Sequence, residues 1–288
     1  MNLLQQILSD KKDDLATAKA AQPRKELLQR IRDIPAAIPF GEALTREGFG
    51  IIAEIKRKSP SMRAMIPANV EEAPGAYGES SVVKAVSILT DWKYFGMRIE
   101  ELEGLKRRIG KPVLRKDFIF DEYQVVEARA FGADAILLMA AVLEKARLLD
   151  LFDVATGLGM DVLFECHTND EIDMIPDKAR LYGINSRKFK TDARAFHSRA
   201  SKTSEDAEGH LDRARDFSTD LHLFKELIGQ LPASAVKVAE SGLKPADIAS
   251  VRALGFDGAL IGASLLKSPL GVRRTLDLFG KALNSNPL

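Results

Sequence analysis

The sequence of 288 residues has little of several features that would assign it to a class of protein. It has one cysteine, Cys166, so no internal disulfide can form, and a free thiol fits a reducing compartment. Lysine and arginine (42) almost balance aspartate and glutamate (41), which argues against a binding partner such as nucleic acid. No uninterrupted apolar run is long enough to span a bilayer. These absences predict a cytoplasmic protein that has neither a nucleic acid nor a membrane as its partner.

The N-terminus has no signal-peptide pattern, because it lacks a basic start and the charged run 10–14 interrupts its apolar region. Apolar residues recur there at helical spacing instead. They are Leu3, Leu4, Ile7 and Leu8, followed by Leu27, Leu28 and Ile31. The pattern predicts two amphipathic helices within residues 1–45. We expect them to form an extension that packs on a main fold of residues 46–288.

Short apolar stretches then alternate with longer, helix-like charged segments. The apolar stretches are 51–57, 82–90, 112–118, 134–142, 161–167, 180–187, 235–241 and 258–264. Eight strands alternating with helices indicate an α/β protein with a parallel sheet, and the length is close to the roughly 250 residues usual for a (β/α)8 TIM barrel. An open doubly wound sheet is the alternative. Such a sheet should show a G-x-G-x-x-G turn after its first strand, and the sequence has none.

One connection breaks the alternation. The segment at about 188–222 is long, polar and rich in charge. It could be a solvated excursion from the barrel, or it could be a lid over the barrel mouth. His197 and His210 do not have the spacing of a zinc site, so we expect no metal there.

Charged and amide side chains recur at the ends of the predicted strands, at positions that face inward. The stretch AEIKRKSPS (53–61) places a carboxylate and an ammonium two residues apart, hence on one face of a strand. The seven groups of this kind are Glu54, Lys56, Lys116, Glu165, Asn185, Arg187 and Glu240. Any one of them could be a structural ion pair. Seven on five strands predict an acid–base site, because active sites of such barrels lie where the strands end.

Small residues occupy the turns after the seventh and eighth strands. They are Ser241-Gly242 and Gly262-Ala263. Small side chains let backbone N–H groups approach an anion, and barrel enzymes often bind phosphate at these two turns. The pair of turns predicts a phosphate site.

The motifs carry a resemblance to a known family. IIAEIKRKSPS, SILTDWKYF, PVLRKDFIFDEYQVVEARAFGADAILL, GINSR, KVAESG and ALIGASLL resemble, in order and from about residue 45 onward, the motif series of the indole-3-glycerol phosphate synthase family. The resemblance implies a lyase of tryptophan biosynthesis that uses neither metal nor organic cofactor. Its substrate would be 1-(2-carboxyphenylamino)-1-deoxyribulose 5-phosphate, which loses carbon dioxide and water to give indole-3-glycerol phosphate. We expect a monomer or weak homodimer.

The resemblance also implies roles for individual residues. Lys116 would be the general acid of ring closure, and Glu165 would move a proton during dehydration. Lys56 would hold the substrate carboxylate, with Glu54 paired to it. We expect neighbouring cations and desolvation to lower the pKa of these lysines toward neutrality.

The remaining site residues would bind the substrate. Asn185, Arg187 and Glu240 would orient the sugar hydroxyls and the lysines, and Ser59 would contact the substrate from the first loop. The aromatic ring would lie against Phe95, Phe118, Leu137 and Met139. The phosphate would lie against Ser241, Gly242, Gly262 and Ala263.

Two other functions fit the same residue types. Another phosphate-binding barrel enzyme, an isomerase or an aldolase-type lyase, could use Lys116, the latter as a Schiff-base amine. A non-catalytic barrel is the second alternative, and the presence of every expected catalytic group disfavours it.

Overall fold

The structure is a computed structural model that describes residues 3–60, 62–187 and 221–284. Strands and helices alternate along most of it. The strands are β1 (Gly50–Ile55), β2 (Lys58–Ser59), β3 (Arg63–Ala64), β4 (Val83–Leu89), β5 (Val113–Lys116), β6 (Ala135–Met139), β7 (Asp161–Cys166), β8 (Leu181–Asn185), β9 (Val236–Glu240) and β10 (Gly258–Ile261). The helices are α1 (Leu3–Ala21), α2 (Arg24–Ile31), α3 (Phe40–Thr45), α4 (Pro67–Glu79), α5 (Trp92–Phe95), α6 (Glu101–Ile109), α7 (Glu122–Ala130), α8 (Lys145–Gly157), α9 (Asn169–Ile172), α10 (Leu221–Ile228), α11 (Ile248–Ala253), α12 (Ala263–Leu266) and α13 (Val272–Asn284), with a 3₁₀ turn at Pro245–Asp247.

Eight of the strands close into a parallel barrel. The order is β1, β4, β5, β6, β7, β8, β9 and β10, and β10 pairs back to β1. Every residue of β1 is buried, because one face of the strand packs under helices and the other faces the barrel interior. Ile52 lies beside Ala85 of β4 and Leu260 of β10. The predicted (β/α)8 barrel is therefore confirmed, and the open-sheet alternative is wrong.

The segment before β1 contains a helix that the sequence pattern did not predict. The predicted α1 and α2 are present, and α3 follows them. Phe40 and Leu44 of α3 are fully buried. A β-carbon added at Gly50 or Gly258 would lie 2.6 Å or 3.0 Å from a methyl group of Leu44. This short helix closes the amino-terminal end of the barrel, and its six residues are too few to show a helical period.

Helix α1 is anchored to the opposite end of the barrel, where the strands finish. The buried ammonium of Lys11 lies 2.7 Å from Asp91, after β4, and 2.9 Å from Asp117, after β5. Burial opposes the charge of Lys11, but the two carboxylates raise its pKa. Arg115 of β5 contacts the other oxygen of Asp117 at 3.1 Å. A buried ion cluster thus joins the first helix to the loops of two neighbouring strands.

The polar segment expected at about 188–222 lies outside the described residues as far as residue 220, as do His197, His210 and Ser61. Its last two residues belong to α10, which begins at Leu221. Among the helices of the described ranges, none is both long and apolar enough to cross a membrane.

We expect Lys11→Met to lower the free energy of unfolding by about 3–5 kcal/mol, because removing one partner of a buried ion cluster leaves the others uncompensated. Urea unfolding at pH 7 measures the loss. Lys19→Met is the matched control on the same helix, since the Lys19 side chain is 44% exposed and pairs with Asp121 at the surface. That variant should change stability by less than about 1 kcal/mol. Equal losses in the two variants would contradict a special role for the buried cluster.

Candidate active site

A cavity opens at the carboxyl ends of the barrel strands. The space within it, with the open mouth included, is about 850 Å³. Most of the site residues predicted from the sequence line it. They are Glu54, Lys56, Phe95, Lys116, Phe118, Leu137, Met139, Glu165, Asn185, Arg187, Ser241, Gly242, Gly262 and Ala263.

The Lys116 ammonium lies among three carboxylates from three different strands. Its Nζ donates a hydrogen bond to Oε2 of Glu240 at 3.0 Å. Oε2 of Glu165 is 3.6 Å away, and Oε2 of Glu54 is 3.9 Å away. In the described part of the chain, no three His, Cys, Asp or Glu side chains are arranged to hold a metal ion. The positive charge at the centre of these carboxylates is that of Lys116.

The charge around Lys116 is the opposite of what the sequence suggested. Burial alone would lower the pKa of Lys116, but Glu240, Glu165 and Glu54 together raise it above its usual value. The expectation that this lysine is tuned toward neutrality is therefore wrong. Its neighbours on β7, β9 and β1 are anions, and that arrangement depends on strands far apart in the sequence. Lys116 is an ammonium at neutral pH.

Glu54 and Lys56 form a second ion pair on the β1 side of the cavity. The Lys56 Nζ donates to Oε1 of Glu54, and both side chains are almost buried. Burial raises the pKa of Glu54, but the fields of Lys56 and Lys116 outweigh it and hold that pKa below its usual value. A β-carbon at Gly262 would lie 2.3 Å from Oε1 of Glu54. Gly262 therefore makes room for this carboxylate, a role the sequence did not indicate.

Glu165 and Glu240 lie within hydrogen-bond reach of each other behind Lys116. For Glu240, burial raises the pKa to about 7, and the neighbouring Glu165 adds to the effect of burial. For Glu165, burial is outweighed by Lys116, by His167 and by a hydrogen bond from Asn185, which lower its pKa. Oε1 of Glu240 is buried and accepts no hydrogen bond from a described residue. A buried oxygen without a donor disfavours the ionised form of Glu240, in agreement with its raised pKa.

The turn after β9 has an unusual backbone. Ser241 has φ of 76° and Gly242 has φ of 72°, so two successive residues are left-handed. The Ser241 hydroxyl donates to Oδ1 of Asn185 at 2.6 Å. The Ser186 hydroxyl lies 3.2 Å from the carbonyl oxygens of Glu240 and Ser241. A non-glycine residue keeps a left-handed φ only when its surroundings hold it there, so this turn is rigidly positioned beside the cavity.

Two predicted site residues do not line the cavity. Glu240 is fully buried behind Lys116 and reaches the site through it. Ser59 is buried in the β2–β3 hairpin, where its hydroxyl accepts a hydrogen bond from the Met62 N–H at 3.1 Å. The structure thus places the Ser59 hydroxyl in the turn that follows β1.

Comparison with known proteins identifies the family of this chain. The family model for indole-3-glycerol phosphate synthase matches residues 4–203. The indole-3-glycerol phosphate synthase of Bacteroides thetaiotaomicron is 35% identical over 284 residues, covering 98% of this chain and 99% of that relative. This chain belongs to the indole-3-glycerol phosphate synthase family. The family member from Kineococcus radiotolerans is 33% identical and covers 96% of this chain and 95% of that relative.

The family match begins at residue 4 and so includes the N-terminal helices ahead of the motifs. Helices α1–α3 therefore lie within the region shared with the family. Among solved structures, the 3-hexulose-6-phosphate synthase of Salmonella typhimurium has a TM-score of 0.56 at 12% identity, covering 82% of this chain and 98% of that chain. The native KDPGal structure has a TM-score of 0.52 at 17% identity, covering 81% and 93%. At these identities the likeness shows the fold alone.

Sequence reasoning missed Gly183 and His167, both next to the paired glutamates. A β-carbon at Gly183 of β8 would lie 2.1 Å from Oε1 of Glu240. Gly183 precedes Asn185 by two residues in GINSR, so it shares the inward face. A glycine inside a strand often marks a close approach, and that signal was available in the sequence. His167 follows Glu165 by two residues, so the same alternation places the two side chains on one face, and that signal was available as well.

We expect Gly183→Ala to reduce turnover strongly while the protein still folds. The added methyl group meets the end of a flexible side chain, so the Glu240 carboxylate is displaced from Lys116 rather than the strand. Steady-state kinetics together with circular dichroism measure the two effects. Gly104→Ala in α6 is the control, because its β-carbon meets nothing within 4 Å. The control should leave turnover unchanged and stabilise the helix by up to about 1 kcal/mol. Full activity of Gly183→Ala would show that the Glu240 position is not critical.

Proposed function

We propose that this protein catalyses the formation of indole-3-glycerol phosphate from 1-(2-carboxyphenylamino)-1-deoxyribulose 5-phosphate. The observation that carries the proposal is the Lys116 ammonium, held among Glu54, Glu165 and Glu240 at the carboxyl end of the barrel. The reaction needs proton donors and an acceptor within one site, and this cluster supplies both. The family membership of the whole chain agrees with this chemistry.

Ring closure comes first, and Lys116 is its acid. The ring carbon that bears the carboxylate attacks the ribulose carbonyl, whose oxygen takes on negative charge. Because three carboxylates keep Lys116 protonated, the ammonium is ready to donate at that moment. The developing alkoxide is more basic than an amine, so even a lysine of raised pKa transfers its proton favourably.

Decarboxylation follows, and we assign the substrate carboxylate to Lys56. This ammonium pairs with Glu54 and lines the cavity. An ammonium binds a carboxylate by a charge-assisted hydrogen bond. Loss of carbon dioxide restores the aromatic ring and needs little help beyond holding the ring in place.

Dehydration completes the reaction, and Glu165 moves the proton. The substrate oxygen leaves as water and takes up two protons in all, whereas the new five-membered ring gives up one. An ionised carboxylate next to an ammonium can accept the proton that the ring gives up and pass it on toward the leaving oxygen. Glu165 has both properties, since its pKa is lowered despite burial and Lys116 is 3.6 Å away.

The remaining residues bind the substrate. Asn185, Arg187 and Glu240 orient the sugar hydroxyls and the lysine. The phosphate binds at the two turns formed by Ser241, Gly242, Gly262 and Ala263. The aromatic ring packs against Phe95, Phe118, Leu137 and Met139. Support for this arrangement is that these residues, apart from Glu240, line one cavity.

The aldolase alternative requires an unprotonated lysine that attacks a carbonyl carbon. The carboxylates around Lys116 oppose loss of its proton, so the site favours an acid over a Schiff-base nucleophile. Borohydride treatment with a ketose phosphate separates the two functions. A lysine adduct would support the aldolase, and we expect none.

We also propose that residues 1–45 are a helical extension of the barrel at 46–288, and that the protein works in the cytoplasm as a monomer or weak homodimer. The single cysteine is a buried free thiol, which suits a reducing compartment. The charged groups around Lys116 come from one chain, so one protomer is sufficient for the site.

A fluorescence assay for indole formation tests the proposed function directly. We expect the wild-type protein to convert the carboxyphenylamino substrate to a fluorescent indole product in buffer that contains a chelator. Absence of product under these conditions, with the protein folded, would overturn the proposal.

We expect Lys116→Met to lower turnover by at least about 10³-fold, because a positioned general acid contributes about 10²- to 10⁴-fold and the variant also leaves buried carboxylates unpaired. Affinity for the phosphorylated product should stay close to that of the wild type, since the phosphate turns are untouched; calorimetry measures it. Lys145→Met, at an exposed position outside the cavity, is the control. Turnover near the wild-type rate would remove Lys116 from its role.

We expect Glu165→Gln to cut turnover by about 10²-fold or more while KM changes little, because the amide keeps the shape but cannot accept a proton. Glu144→Gln, at an exposed site before α8, should be without effect. A rise in KM with unchanged kcat would instead make Glu165 a binding group.

A further inference from the structure

His167 lies directly behind the proton-relaying carboxylate. It follows β7, whose last residue is Cys166, and its ring stands between two carboxylates. Nε2 is 3.7 Å from Oε1 of Glu165, and Nδ1 is 3.3 Å from Oε2 of Glu171. The side chain is 8% exposed, so the ring is largely shielded from water. His167 is not among the residues that line the cavity, so it acts on the site through Glu165.

The position of the ring is set by Glu171. Oε2 of Glu171 accepts a hydrogen bond from the backbone N–H of His167 at 2.6 Å and also faces Nδ1 of its ring. Glu171 is itself held at the start of α9, where the Thr168 hydroxyl accepts a hydrogen bond from its N–H at 3.3 Å. The Glu171 carboxylate thus fixes both the backbone and the ring of His167, and Nε2 of the ring faces Glu165.

The two paired glutamates differ in the cations around them. Glu240 has Lys116 at 3.0 Å, and Glu165 has Lys116 at 3.6 Å on one side and His167 at 3.7 Å on the other. Two neighbouring buried carboxylates do not both ionise readily, so one of them holds a proton. A cation behind one member of such a pair selects that member as the ionised one.

We propose that His167 is a positioning residue of the active site: clamped by Glu171, its ring places a positive charge behind Glu165 and so makes Glu165, rather than Glu240, the ionised member of the pair. This inference rests on the proposed function for the role of Glu165 in dehydration. The arrangement of charge itself does not depend on that function.

The electrostatics of the cluster agree with this assignment. Burial opposes a charged His167 ring, but the hydrogen bond to Glu171 and the fields of Glu165, Glu171 and Glu240 raise its pKa. The Cys166 thiol on the same strand donates to the Gly183 carbonyl, and burial raises its pKa, so it stays neutral. The carboxylates on β7, α9 and β9 are the charged groups acting on the ring, and they favour its imidazolium form.

Proton NMR of the histidine rings tests the charge arrangement without any substrate. The chain has four histidines, and His167→Gln identifies one resonance by its loss. We expect His167 to titrate above the ordinary value of about 6.5. Coupling between two sites is reciprocal, so Glu165→Gln should lower the His167 midpoint, and Glu171→Gln should lower it as well. A midpoint that Glu165→Gln leaves unchanged would overturn the proposal.

Kinetics test the consequence for catalysis. We expect His167→Gln, whose amide reaches toward Glu165 without a charge, to lower kcat about tenfold with KM within about twofold. Without the imidazolium the pKa of Glu165 rises, so the ascending limb of the kcat profile should move to higher pH. His222→Gln, at an exposed position on α10, is the matched control and should change neither. An unmoved profile would overturn the proposal.

A second variant covers the case in which His167→Gln does not fold. Glu171→Gln keeps the ring but weakens its clamp, and the profile should then move in the same direction by a smaller amount. If the wild-type protein makes no indole product, the proposed function fails while the NMR titration still decides the charge of His167. If the product forms and the titration shows no coupling, only the role of His167 fails.

Discussion

The site depends on one buried ammonium that balances several buried carboxylates. Lys116 ends β5, and the glutamates facing it come from β1, β7 and β9. Each of these carboxylates would be costly to bury alone, because desolvation opposes the charged form. The ammonium makes their burial tolerable, and they in turn keep it protonated. The proton donor that we propose for ring closure follows from this mutual compensation, without a lysine of lowered pKa.

The strand ends that carry the charged site residues are also positions where close packing is needed. Gly183 and Gly262 leave space that the carboxylates of Glu240 and Glu54 occupy, so two missing side chains are as important as the charged ones. Asp117, the residue after Lys116, is held by Lys11 of α1. The first helix therefore stabilises the segment that carries Lys116. Asp117, in the loop after β5, therefore links the stability of the first helix to the geometry of the site.

The charged groups form one continuous array rather than a set of separate pairs. Lys116 contacts Glu165, Glu165 faces His167, and His167 is held by Glu171. In a site of low dielectric such an array polarises its members, so a charge at one end changes proton affinity at the other. A reaction that adds two protons to a leaving oxygen and removes one from a ring requires donors and acceptors of different strength. Chemically identical carboxylates acquire different proton affinities here because their surroundings differ.

The alternation of apolar stretches and helical segments was sufficient to predict eight parallel strands, because the pattern of each segment is a local property. The chain length and the missing G-x-G-x-x-G turn then favoured a closed barrel. Alternation of side chains along a strand likewise placed Glu54, Lys56 and Lys116 on the inward face. The sequence did not reveal α3, whose six residues show no period, or the contacts of Gly183 and His167. It also suggested the wrong direction for the pKa of Lys116. The surroundings of Lys116 and Gly183 depend on which strands lie side by side and in what register, and only closure of the barrel determines that, since it brings residues as far apart as Lys116 and Glu240 into contact.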